Sequence, residues 1–529
     1  MFKRLATALV VAGSLVMAGP AAAADDDMNF GAEEGEVGHL SELLKQGKLL
    51  YEQKNYAEAS LIFHNILSDE AFGAEAYFPE AEYELAKTLF RMELYQGALA
   101  YFGRIVDQGD FHPYYVPALR GLLLLTDVIP GDALLNERLA TYVERYPADV
   151  PDQYRDRYAY LVGRYFYNTM DVDQALRMLN MVTSRSDLYP SARYISAITH
   201  VANYDAKPAV DAFRDVLRFL SQRNEATGKL NADERTLLDL TNLGMARVFY
   251  STGQFDTSLR YYSRLTRTSP LWLQSLFESS WAFFQVDQYN HALGNLHTLN
   301  APFFSDAYFP EGPVLSAVIF FYNCKYGRVR NVLEDYEYTY DGLRKEIASV
   351  MQNNDDPMEM FKWVQKLRAD KSDYDAQLFR ILDAALGDEQ VKQKFDLVDS
   401  IARESKKMES MAATWKSSKL GDLLIQESGL ANSFAVSDAG ELTQQRLQRV
   451  VRELEDLIMQ QKRILFEVAR AERGEIEADI RAGMLLDGQA TDKAQLKVSD
   501  EQLYWTFDGE YWRDELGFYV FSINSECRR

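Results

Sequence analysis

Histidine and cysteine are scarce: 529 residues carry six of the first and two of the second. Cys324 and Cys527 stand 203 positions apart, so disulfides do not build this chain and one long-range bridge is the most they can form. Of His39, His64, His112, His200, His291 and His297 only the last two are close, and their six-residue step does not put them on one helical face. They read as structural or solvent-exposed side chains, not metal ligands. No HExxH helix, CxxC pair, Walker loop or nucleophile elbow occurs, so neither catalysis nor a cofactor nor a metal is expected. Basic charge is short as well, with 57 Lys and Arg against 79 Asp and Glu and a net charge of −22. Such a surface repels phosphate backbones and anionic lipid heads, which argues against a nucleic-acid partner. A membrane-spanning run is missing too. The apolar stretch from Leu5 to Met17 falls short of the roughly 20 residues that cross a bilayer.

That stretch follows Lys3 and Arg4 and leads into Ala22-Ala23-Ala24, the order of a secretory signal peptide with cleavage near Ala24. Removing residues 1–24 takes the formal charge to −24 and leaves no cysteine near the new end. The expected location is the periplasm, with the extracellular space as the lesser alternative. Asp25-Asp26-Asp27 and GAEEGEVG then read as an acidic flexible leader over 25–39. Glu33 with Glu34, and Asp514 with Glu515, read as surface, since adjacent carboxylates point apart on most backbones.

What the chain does have is a spacing. A small residue is followed twelve positions on by a second small residue and four further by a large one: Gly47, Ala59, Phe63; Ala86, Ala98, Phe102; Gly163, Ala175, Leu179; Ala197, Ala209, Phe213; Ala246, Ser258, Tyr262; Ser280, Ala292, Leu296. Gly121 with Ala133, and Ala317 with Val329 and Leu333, are degenerate members. Two helices that pack closely need small residues at the crossing and large ones around it, so Ala59, Ala98, Ala175, Ala209, Ser258 and Ala292 are the repeat-packing positions. Successive second positions are 39, 35, 42, 34, 49, 34 and 37 apart. Longer loops or longer helices must absorb the excess, notably over SQRNEATGKLNADE at 221–234. Pro79, Pro190, Pro270 and Pro310 fall between pairs, where proline stops one helix without harming the next.

Residues 40 to about 340 resemble a tetratricopeptide-repeat array of the exported bacterial cell-envelope type. The match is best in GMARVFYSTGQFDTSLRYYSRLTRTSP, where Gly253 fills the inter-helix turn and Pro270 closes the unit. The resemblance implies an all-α fold, a right-handed solenoid of about eight repeats over 40–344 whose concave face holds peptides or partner proteins. It implies no catalytic activity.

From 345 the small-residue spacing stops. Residues 345–485 read as long helices forming a coiled-coil-like antiparallel hairpin, with SGLANSFAVSDAG as a loop and Asp438 and Glu441 as a capping box after it. Leu447, Val451, Leu454, Ile458, Gln461, Leu465 and Val468 alternate steps of four and three, a heptad seam. Its partner is either a neighbouring helix of the same chain or a second copy, giving a homodimer through Leu447–Val468. Residues 486–529 end in LYWTFDGEYWRDELGFYVFSI, two aromatic β-prone runs around an acidic turn, which suit a β-hairpin or a cap on the array. GEYWRDELG resembles the C-terminal tails of envelope repeat proteins in predatory and gliding bacteria.

Partner contacts are sought among aromatics and cations. Arg260, Arg264 and Arg267, spaced by four and three on an expected helix, read first as a solvated face paired with nearby acids and second as a clamp for a carboxylate-bearing peptide beside Tyr261. Tyr336, Tyr338 and Tyr340 are candidate anchors. The functional expectation is a non-catalytic protein–protein scaffold of the cell envelope, organising a motility, secretion or division assembly. The alternative is a glycan- or peptidoglycan-acting or -binding protein with the array as its docking arm.

Overall fold

The computed structural model describes residues 33–70, 74–129, 133–141, 150–304, 307–369, 379, 382–383, 386–387, 389–481 and 509–527. The expected signal segment 1–24, the Asp25–Asp27 run and residues 486–508 lie outside them. Among the described residues there is helix and no strand.

Helix pairs follow one another along the chain: α1 (Glu33–Glu52) with α2 (Tyr56–Leu67), α3 (Phe78–Arg91) with α4 (Tyr95–Asp107), α5 (Tyr115–Leu125) with α6 (Ala133–Thr141), and α7 (Asp152–Asn168) with α8 (Val172–Leu179). Then come α9 (Tyr189–Ala202) with α10 (Ala206–Thr227), α11 (Ala232–Ser251) with α12 (Phe255–Tyr262), α13 (Trp272–Gln285) with α14 (Tyr289–Leu299), and α15 (Glu311–Tyr322) with α16 (Tyr326–Asn353). Helices adjacent in sequence pack on one another along the array, except that α5 and α6 each pack on α7, the architecture of a tetratricopeptide-like α-solenoid.

One turn geometry generates the repeat. Lys54, Glu93, Met170, Tyr204, Gly253, Asp287 and Cys324 all have φ between 56° and 75°, and each lies five positions before a second small residue. Around each, the next residue's N–H bonds back to the carbonyl five before it, as Asn55 to Leu50, Asp171 to Phe166 and Lys325 to Phe320. The positive-φ residue bonds to the carbonyl three before it, as Lys54 to Tyr51 and Cys324 to Phe321. This is the Schellman ending, which satisfies orphan carbonyls and reverses the chain at a fixed angle. The second helix therefore meets the first at the same height each time, where Ala59, Ala98, Ala175, Ala209, Ser258 and Ala292 are fully buried at 0% exposure. Large side chains close the pair against a missing Cβ: one built on Gly47 would meet Phe63 at 2.6 Å, and one on Gly163 would meet Leu179 at 2.7 Å.

Helix length, not loop length, absorbs the widest spacing. α10 runs 22 residues to a left-handed Gly228, and α11 begins at once with an Asn231–Glu234 capping box. Pro79 and Pro190 sit in the first turn of α3 and α9, where the missing N–H has no helical acceptor to lose. α1 begins at Glu33, so the second half of the expected acidic leader belongs to the first helix.

After the array come α17 (Pro357–Ala369), α18 (Glu389–Glu409), α19 (Ala413–Lys416) and α20 (Lys419–Arg481). α20 is continuous over 63 residues, about 95 Å, and this corrects the loop expected at 428–440. The small residues there serve close packing: a Cβ on Gly440 would meet the Pro357 carbonyl at 1.8 Å, Ala439 is fully buried, and Ser428 shares a 2.7 Å hydroxyl bond with Ser405 of α18. Asp438 caps no helix and pairs with Lys394. The heptad seam faces the chain itself. Leu447, Leu454, Ile458, Gln461 and Val468 are buried, and Gln461 Nε2 donates to the Leu333 carbonyl of α16 at 2.7 Å. The seam is thus spent on packing within the chain, the first of its two expected partners.

α20 touches both ends of the array. Near its start, Leu420 and Leu424 join the core of the first pairs, and Trp415 of α19 donates to Ser60 of α2. Near its end, Glu472 pairs with Arg330 and Glu475 accepts from Tyr326. The described tail, 509–527, has neither helix nor strand. It lies on α14 and the α15–α16 turn, sealed by a Cys324–Cys527 disulfide. No β-hairpin forms among these residues: the backbone N–H groups of Gly517, Phe521, Ile523 and Glu526 bond to the array, and those of Glu515 and Phe518 close local turns.

Candidate partner-binding surfaces

The first helices of successive pairs carry a run of interacting polar and aromatic side chains. Lys87 of α3 lies 4.8 Å from the Tyr51 ring centroid of α1 and 5.4 Å from that of Tyr83. Farther along, Tyr194 of α9 lies within electrostatic range of Tyr167 of α7 and Arg247 of α11, its phenol pushed up mainly by burial. Arg247 makes a two-pronged pair with Glu278 of α13 at 2.6 and 2.9 Å, and Tyr262 donates to the same carboxylate at 3.0 Å. Burial and the adjacent Glu278 push the Tyr262 phenol up, so it stays a donor. Phe284 of α13 meets Tyr322 of α15 edge-on at 5.4 Å. Tyr322 is 59% exposed and Val201 of α9 is 41% exposed.

The arginine trio does not assemble. α12 ends at Tyr262, so Arg264 and Arg267 leave the helix that was expected to align them with Arg260. Arg260 bonds only locally, to Thr257. Arg264 stacks 4.3 Å over Tyr261 and reaches Asn242. Arg267 grips the tail, donating to the Asp514 carbonyl at 2.6 Å and lying 4.6 Å over Phe518. The tyrosine anchors divide as well. Tyr336 is buried at 2% exposure and packs 4.6 Å from a half-buried Tyr340, which makes this pair core at the α20 contact and corrects its assignment as a partner surface. Tyr338 stands 90% exposed.

Sequence reasoning named the tail as a candidate cap and Cys324–Cys527 as a candidate bridge, but not the place on the array where the tail docks. Asn290, Gly294, His297 and Thr298 share one face of α14 and meet residues 511–523. For the place, the signal was Gly294 inside a helical pattern, which marks a close approach. His297 stacks on Tyr511 at 4.7 Å and meets Tyr519 edge-on at 5.1 Å. Burial there lowers its pKa. A second missed residue is Glu404 of α18, whose Oε2 accepts the Gln96 N–H in the first turn of α4 at 3.1 Å. Burial pushes that carboxyl up to about 7.

Among the described residues no group of three or more His, Cys, Asp or Glu side chains is gathered as a metal site requires, and no helix is long and apolar enough to cross a membrane. No family model matches the chain, and no curated protein matches it. Solved structures similar to it are helical arrays. The apo form of RapI is 12% identical, covering 70% of this chain and 98% of its own at a TM-score of 0.34. A Rap protein complexed with competence and sporulation factor is 11% identical, covering 79% and 99% at 0.24. The P58(IPK) TPR domain is 12% identical, covering 76% and 99% at 0.18. The repeated turn described above, not these distant likenesses, defines the repeat in this chain.

Proposed function

We propose that this chain is a non-catalytic scaffold that binds peptides or proteins on the first-helix face of its repeat array. The observation that carries the reading is the contact of side chains across successive pairs, Arg247 and Tyr262 with Glu278 and Phe284 with Tyr322. Aromatic anchors beside oriented charges suit a polypeptide ligand. α20, tied to both ends of the array, holds that face at a set curvature, which lowers the ordering cost of binding.

The N-terminal pattern and the acidic charge support export to a bacterial periplasm, where the clients would be proteins of an envelope assembly for motility, secretion or division. Two experiments test this. N-terminal sequencing of the protein from cells should begin at Asp25; an intact Met1 would remove the export reading. A photo-crosslinking residue placed at Val201 or Tyr322 should capture a defined protein that the same residue at Tyr338 does not. Equal capture from all three positions would count against a dedicated face, and release of cell-wall fragments by the purified chain would favour the glycan-acting alternative.

A further inference from the structure

The tail docks in a way that reads backbone more than sequence. From Gly517 onward its odd positions, 517, 519, 521 and 523, are half-buried, and the even positions 518 to 524 are exposed, the alternation of an extended segment. Phe521 N–H donates to the Asn290 carbonyl at 3.0 Å, Ile523 N–H to Asn290 Oδ1 at 3.1 Å, and Glu526 N–H to the Asn323 carbonyl at 3.0 Å. Gly517 N–H donates to Thr298 Oγ1 at 3.1 Å, and Arg267 holds the Asp514 carbonyl. A Cβ on Gly294 would strike the Tyr519 carbonyl at 1.8 Å, so the helix is cleared at that point for a passing main chain. The inward side chains need only be bulky: Tyr519 meets His297, Phe521 meets Phe320 at 6.0 Å, and Ile523 packs on the same apolar cluster. Main-chain bonds supply affinity and alternate pockets supply selectivity, the logic of extended-peptide recognition.

We propose that this face of α14 and the α15–α16 turn is a docking site for an extended segment of a partner protein with bulky apolar side chains at alternate positions. Residues 509–527 fill it in the oxidised chain, and reduction of Cys324–Cys527 opens it. Cys527 is exposed, within reach of a dithiol reductant. The reductant's thiolate attacks one sulfur, the Cys324–Cys527 bond breaks, and the reductant leaves as its own disulfide while both cysteines become thiols. The tail then stays only by its non-covalent contacts, and a competing segment can displace it. This site borders the first-helix face at Tyr322, whose carbonyl lies 3.5 Å from Cys527 Sγ, but it does not rest on that face being a binding surface.

The test uses the full chain and a labelled synthetic peptide of residues 509–527 carrying Cys527→Ser. In the full-length variant Gly517→Val with Cys527→Ser the tail loses both its covalent tether and its fit, because a Cβ at 517 meets Trp272 at 2.6 Å, while the docking face is untouched. The peptide should bind this variant at least ~tenfold more tightly than the oxidised wild type. Dithiol-treated wild type should fall between the two, and adding Gly294→Val should abolish binding. Amide exchange over 511–524 reports whether the tail has left. Three outcomes overturn the proposal: equal binding to oxidised wild type and variant, no binding to a variant whose tail is released, or a tail that stays protected without its disulfide and Gly517.

Discussion

Trp415 donates its indole N–H to Ser60 Oγ at 3.1 Å across 355 residues of chain, with the tryptophan only 1% exposed. Ser60 neighbours the packing residue Ala59 on α2, so the C-terminal helices are pinned to the first helix pair. Trp415→Ala removes one of the largest fully buried side chains and should cost about 3–5 kcal/mol. Ser60→Ala removes two hydrogen bonds, the one from Trp415 and its own to the Ala57 carbonyl, and leaves a buried indole N–H unpaired, for about 1–3 kcal/mol. Thermal melts of both variants check the ranking; equal, near-zero shifts would mean that α19 does not dock there.

The Glu404 contact gives that same junction a pH dependence. Its carboxyl, ordinarily near 4.5, is pushed up to about 7 by burial, which outweighs the Gln96 and Tyr95 N–H bonds that favour the charged form. A raised carboxyl pKa means that the folded state holds the proton more tightly. The stabilisation is full below the unfolded value of 4.5 and is lost as pH rises through 7, a swing of roughly 3 kcal/mol. Amide exchange at the start of α4 should therefore speed up from about pH 5.5 to about pH 8, beyond the intrinsic base-catalysed change. Glu404→Gln, which cannot ionise, should flatten the profile and be the more stable protein at the alkaline end. An unchanged profile in that variant would show that another group governs the junction.

The repeated turn sets a third expectation. Six of the seven turns place a side-chain-bearing residue at positive φ, and only Gly253 is glycine. Left-handed φ strains Cβ against the following carbonyl by about 1–2 kcal/mol, whereas glycine carries no such strain but loses more entropy on folding. Tyr204, at φ 62° and 96% exposed, gives up little packing, so Tyr204→Gly should stabilise the chain by up to ~1 kcal/mol. Gly253→Ala, at φ 75° with open space around it, should destabilise it by about 1 kcal/mol. Opposite signs in denaturant midpoints are the check.

These turns explain why the array was legible in sequence. A fixed turn locks the small residue of one helix to that of the next at a constant spacing, so six matches sufficed to place the pairs. Where a small residue has two uses the reading failed. Ser428, Gly440 and the small residues between them look like a loop, yet a helix can use Ser428 to meet Ser405 and Gly440 to receive Pro357. The arginine trio failed because α12 stops at Tyr262, after only two turns, while the periodicity of charge runs on. The tail site was out of reach for another reason: Arg267 and Asp514, or Gly294 and Tyr519, are more than 220 residues apart, and the tail is recognised mainly through backbone atoms, which leave little trace in residue type.

Gly294 is where that long-range fit can be broken without harming the helix that bears it. Alanine is the better helix former by about 1 kcal/mol, so Gly294→Ala should leave α14 intact or firmer. Its Cβ, however, would lie 1.8 Å from the Tyr519 carbonyl and 2.6 Å from its carbon, which are main-chain atoms that cannot rotate away. The tail must lift from α14, and with it the backbone contacts that bring Cys527 to Cys324. Thiol titration of unfolded protein, prepared under mildly oxidising conditions, should find no free thiol in wild type and two in much of the variant, at unchanged helical circular dichroism. A fully formed disulfide in Gly294→Ala would show that cysteine pairing does not depend on the docked tail. Loss of helix together with the disulfide would instead place Gly294 in the array's own packing.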